Sequence, residues 1–123
     1  MPRKTASAPA THPQTQLDVF RSIETNYWQL DDGFDIAYAA CKTAAQRKQL
    51  RDTLSAAEDA YWAAVADALA DNSTFVQQLR DDLDKKNAEV KHQLENLKSI
   101  SAFLAAATEA TRLAAALARL AAV

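Results

Sequence analysis

Two histidines, one cysteine and two tryptophans are the residues of this chain best equipped for chemistry or recognition. His92 stands on a helix-forming stretch, while His12 sits in a proline-bearing N-terminal segment. A phosphoacceptor histidine is the first reading of His92, because histidine phosphotransfer domains are small four-helix proteins. The motif of that family is similar to H-x-x-K-G, and here the two downstream positions are Glu95 and Asn96. A carboxylate one turn away repels a phosphate, so the motif departs from the family where it matters.

Metal binding is the second reading. Glu89 and His92 share the i,i+3 spacing that turns two ligands inward in di-iron bundles. Such a centre needs a second pair and further glutamates, and the sequence offers none at matching positions. No metal or cofactor is expected. As a general base, His92 has no serine elbow, glycine-rich loop or paired acid beside it. Its neighbours Lys91 and Gln93 are polar, which makes it a surface histidine. The chain is therefore expected not to be an enzyme, and no small-molecule substrate is evident.

Cys41, the only cysteine, excludes an intrachain disulfide and a cysteine-based metal site. It falls on an apolar seam and reads as a small core residue. A lone thiol fits a reducing compartment. With no apolar run after Met1-Pro2-Arg3-Lys4 to suggest a secretory leader, a cytoplasmic location is expected.

Trp28 and Trp62 belong to a short internal repeat. Glu24-x-x-Tyr27-Trp28 and Glu58-x-x-Tyr61-Trp62 lie 34 residues apart, with Asp18 and Asp52 at the same offset. That period is the length of a tetratricopeptide unit, but the glycine and proline of that pattern are missing and only two copies occur. With the tyrosines on the seam, each tryptophan stands about 100° around the helix, at the margin of the core. Tyrosine and tryptophan dominate binding hot spots because they bury much area with few rotors. Tyr27, Trp28, Tyr61 and Trp62 are accordingly the expected partner-binding residues, together with the alanine-rich C-terminal helix.

The elements that must position these groups are helices. From Phe34 to Val123 the chain holds neither glycine nor proline, and Ala, Leu, Gln, Lys, Arg and Glu abound. A length of 123 residues, 49% hydrophobic and 24% charged, suits one globular domain. Residues 1–15, with all three prolines, are expected to be a disordered tail and 16–123 a single bundle domain. The net charge of −2, with signs interspersed and no basic stripe, argues against nucleic-acid binding.

Three stripes at three-four spacing follow one another. The first, a coiled-coil-like seam, runs through Phe20, Ile23, Tyr27, Leu30, Phe34, Ala37 and Cys41. Gly33 interrupts it without changing its phase, so the turn signal at Asp31-Asp32-Gly33 competes with a helix running straight on. The second comprises Leu50, Leu54, Ala57, Tyr61, Ala64 and Ala68; the third comprises Val76, Leu79, Leu83, Val90, Leu94, Leu97 and Leu104. Asp71 to Thr74 is a firm break with capping residues. Thr43-x-x-Gln46 matches a capping box, yet the tolerable helix formers around it favour a bend, and Ser99 marks a second bend or weak turn. Asp81–Lys85 and Asp82–Lys86 are expected i,i+4 ion pairs.

These signals predict an all-α antiparallel bundle of three long helices, with a four-helix bundle as the alternative. The expected role is a non-enzymatic interaction or assembly module that binds a protein partner or itself. An amphipathic protein coating a membrane or granule is an alternative. Against membrane insertion, Glu109, Arg112 and Arg119 interrupt the C-terminal apolar segment.

Overall fold

A computed structural model describes residues 13–66 and 73–121 as five packed helices. They are α1 (Pro13–Asp32), α2 (Phe34–Ala40), α3 (Ala44–Ala66), α4 (Thr74–Glu95) and α5 (Ile100–Ala121). The all-α expectation holds, whereas the count of three long helices does not. Four helices of 20 to 23 residues form the bundle, and the seven-residue α2 extends the first.

The difference arises at the two expected bends, both of which are breaks. Before α3 the Thr43 hydroxyl accepts from the Gln46 amide (3.0 Å), and the Gln46 side chain accepts from the Lys42 amide (2.7 Å). The capping box therefore ends one helix and starts another, outweighing the helix propensity of its neighbours. Before α5 the Ser99 hydroxyl accepts from the Ala102 amide (3.2 Å). At the third break Ser73 caps α4 by accepting from Val76. Helix α1 starts at Pro13, so residues 13–15 are helical rather than part of a tail. Proline suits a first helical position, where its missing N–H would have no partner. The expectation of disorder for residues 1–12, and the stripe residue Ala68, lie outside the described residues.

Gly33 joins α1 to α2 with little interruption. Its amide donates to the Gln29 carbonyl (2.9 Å) and its carbonyl accepts from Ala37 (3.1 Å). Its φ of −92° is open to any residue. What the position demands is room: a Cβ here would stand 2.7 Å from both δ carbons of Leu94 on α4. Glycine lets α4 come up against α1 at this level.

The long helices alternate in direction. Phe20 meets Tyr61 while Tyr27 reaches back to Glu58, so α1 and α3 are antiparallel. Asp18 lies by Arg80, Ser22 by Asp84 and Gly33 by Leu94, so α1 and α4 are parallel. Helix α5 packs on α1, α3 and α4 and is the central element. Twelve of its 22 residues are buried, among them Phe103, Ala107, Ala110, Ala114 and Leu117. Alanine at six of the twelve buried positions leaves space for neighbouring helices to approach, and Phe103 fills the wider gap. Ile23, Leu30, Leu50, Val76, Leu83 and Val90 close the core from the other helices.

A polar layer crosses this core. Asn26 donates to the Thr111 hydroxyl (3.2 Å), Asn87 to the Ser22 carbonyl (3.0 Å), and Gln29 to the Asn87 carbonyl (3.1 Å). These bonds tie α1 to both α4 and α5 at one height. Asn87 occupies the place on the third stripe where an apolar residue would stand between Leu83 and Val90. Each asparagine pairs through its Nδ2 alone, its Oδ1 being buried without a partner. A shifted helix would lose that one bond as well, which favours one axial alignment.

Candidate interaction face

Three of the four expected partner-binding residues, Tyr27, Tyr61 and Trp62, meet where α1 crosses α3, and Trp28 stands apart from them on the outer side of α1. Tyr27 and Tyr61 stack at 5.2 Å between ring centroids, Phe20 packs on Tyr61 at 5.8 Å, and Trp62 meets Tyr61 edge-on at 5.1 Å. The internal repeat thus has a structural reason. Its two copies lie on antiparallel helices and bring their tyrosines together, a shared packing solution rather than a stacked helix-pair unit. Both tyrosines are half-buried, whereas Trp28 and Trp62 are 53% and 56% exposed. Each tryptophan follows its tyrosine by one residue, or about 100°. In an antiparallel pair those equal steps turn both indoles to the same outward side.

The polar surroundings of this face are acidic on α1. The Tyr27 hydroxyl donates a long hydrogen bond (3.5 Å) to Glu58. Partial burial, then the charges of Glu58 and Asp31, raise the Tyr27 phenol above its ordinary value of 10.0. Beside Trp28 a shallow cleft of about 270 Å³ is bounded by Glu24, Thr25, Gln29 and Asp32.

The alanine-rich C-terminal helix is not a free face, which corrects the expectation that it joins the binding surface. It is the central helix, and its apolar side is consumed within the bundle. By length and composition α5 could cross a membrane, yet 56% of its apolar window is buried against the other helices. On its exposed side the Arg112 guanidinium donates to Glu109 (Nε to Oε1, 3.0 Å) and lowers that carboxyl below its ordinary value. An open groove of about 570 Å³ runs between α3 and α5, lined by Gln49, Thr53, Ala56, Thr108 and Ala115 among others. Gln49 donates to Thr108 there (3.1 Å), and the groove walls are otherwise mainly aliphatic.

His92 is exposed near the end of α4, and its carbonyl accepts the Asn96 amide (3.2 Å). Glu89, its suggested metal partner, accepts instead from Lys86 (3.1 Å). Among the described residues no group of three or more His, Cys, Asp or Glu side chains could hold a metal ion. The expected Asp81–Lys85 and Asp82–Lys86 pairs do not form; Arg80 pairs with Asp81 (3.2 Å) and Lys86 with Glu89. Cys41 is buried as expected, and its Sγ–H donates to the Ala37 carbonyl (3.4 Å).

Sequence reasoning missed the buried Asn26 and Asn87, since both asparagines were passed over in favour of the apolar stripe. Their signal was available: Asn87 continues the i+4 spacing from Leu83, and Asn26 falls three residues after Ile23. No protein-family model matches this chain, nor does any curated protein or solved structure.

Proposed function

We propose that the protein is a non-enzymatic helical interaction module whose docking face is the outward side of the α1–α3 pair. One observation carries this reading: two tryptophans, each about half exposed, stand on one side of a bundle whose core is closed without them. Burying two indoles against a partner removes much aromatic surface from water. The stacked tyrosines beneath hold the indoles' backbone in place, so little order remains to be imposed on binding. The partner is a protein, either a different chain or a second copy, met in the cytoplasm, where buried Cys41 stays reduced.

The test compares wild type with the double variant Trp28→Ala/Trp62→Ala in capture from native extract, alongside light scattering after size exclusion. The expected result is loss of the captured partner, or of the dimer, in the double variant with helicity unchanged. Identical partners and identical mass in both proteins would remove this face from consideration.

A further inference from the structure

We infer that the α1 half of this face, centred on Trp28, docks a basic partner segment by receiving an arginine or lysine side chain over the indole between Glu24 and Asp32. The inference rests on the interaction reading above and assigns the chemistry of the partner.

Trp28 is flanked at i−4 by Glu24 and at i+4 by Asp32, so two carboxylates stand one turn to either side of the ring on the same helix face. The three residues bound a single cleft with Thr25 and Gln29. Gln29 is pinned by its bond to the Asn87 carbonyl, which gives the cleft a fixed wall on the α4 side. Its volume of about 270 Å³ accommodates the end of one long side chain rather than a drug-sized ligand.

Charge decides the occupant. Glu24, Asp31, Asp32 and Asp35 form no ion pair with any cation among the described residues. Asp52, Asp81, Asp84, Glu89 and Glu109 each face a lysine or arginine, whereas Glu58, Asp59, Asp82 and Glu95 on the other helices are, like the α1 group, outside any ion pair among the described residues. What sets Glu24 and Asp32 apart is that they bound the cleft beside an exposed indole. Two of these carboxylates, Glu24 and Asp32, therefore flank that indole, with Asp31 and Asp35 adding negative charge along the same stretch of α1 and the start of α2. A ring face attracts a cation through its quadrupole, most strongly for tryptophan. Carboxylates on either side add the hydrogen-bond acceptors that an arginine fork or lysine ammonium requires. An acidic or purely apolar segment would leave those charges uncompensated on docking.

The experiment uses the full chain with Trp62→Phe, so that Trp28 alone reports by fluorescence. The probe is an alanine-based helical peptide with four arginines at i,i+4 spacing, and a second peptide carries glutamine in their place. The arginine peptide is expected to change Trp28 emission saturably at low salt, with affinity falling as salt rises. The glutamine peptide should not. By calorimetry in the wild-type background, Trp28→Ala should weaken binding about two- to fivefold, and Glu24→Gln/Asp32→Asn by a comparable factor. Circular dichroism of each variant checks that the bundle is retained.

Equal affinity for the two peptides, or arginine-peptide binding unchanged in both variants, overturns the inference. So does a chain lacking residues 1–12 whose Trp28 emission already differs without peptide, because Arg3 and Lys4 would then be the occupant. If the peptide fails but Trp28→Ala/Trp62→Ala still strips the native partner, the basic-partner chemistry falls and the interaction reading stands. If neither changes, both fall.

Discussion

The seam where α5 meets α1 and the seam where α3 meets α1 are built on opposite plans. The first is closed with alanines, Phe103 and a polar layer, and its residues are buried almost to the last atom. The second is aromatic and open, with tyrosines half covered and tryptophans half exposed. Small side chains bring backbones together and leave nothing over. Large ones stacked on each other at a margin keep area in reserve. The contrast teaches that one side of α1 is committed to holding the fold while the other is free to meet something else.

Breaking the closed seam should cost most. Phe103→Ala removes a fully buried ring and is expected to destabilise by about 3–5 kcal/mol, read from the urea midpoint. A cost under about 1 kcal/mol would mean that the centre is loosely filled. Gly33→Leu forces a side chain into the space of Leu94 and should cost about 1–3 kcal/mol, visible as a lower Tm.

Where the breaks lie is tested at a smaller scale. Thr43→Ala and Ser73→Ala each delete a hydroxyl that caps a helix start, at an expected cost of about 1 kcal/mol apiece. In the open seam, Trp28→Ala is expected to stay within about 0.5 kcal/mol despite removing the largest kind of side chain. A larger loss would show that its indole supports the fold, and the two seams would no longer differ in kind.

The smallest effect concerns protons. Tyr27 has a raised phenol pKa in the folded state, so the native protein binds its proton more tightly than the unfolded chain does. That stabilisation is complete below the ordinary value of 10.0 and is lost as pH rises through the folded value. Ultraviolet titration should therefore show one tyrosine ionising late, and Tyr27→Phe should remove that step. Glu109 behaves in the opposite sense: held low by Arg112, it contributes above its ordinary value of 4.5 and loses that contribution as pH falls through the folded value.

Much of this contrast was legible in the residues alone. The stripe through Ile23, Leu30 and Ala37 is buried, and the one-residue offset of Trp28 and Trp62 from their tyrosines placed them at the surface. Capping boxes were legible as motifs but misjudged in strength, because helix propensity around Thr43 is a weak preference that two specific hydrogen bonds override. The identity of the central helix was hidden. Alanine-rich segments suit both a thin exposed helix and a tightly enclosed one, and only the packing of three neighbours around α5 separates the two. The buried asparagines were obscured for a related reason: a polar residue on an apolar stripe looks like noise until its partner on another helix is seen.

The central position of α5 also has a consequence in time. Helices α1 to α4 emerge from the ribosome first, and the apolar sides of α3 and α4 have as their main cover the helix synthesised after them all. Closure of the core must wait for the segment from Ile100 onward, so the nascent chain passes through a stage in which its hydrophobic faces have no lasting partner. A stop codon or stall ahead of that segment would release a chain with its centre missing, an expected client of chaperones and proteases rather than a smaller working protein.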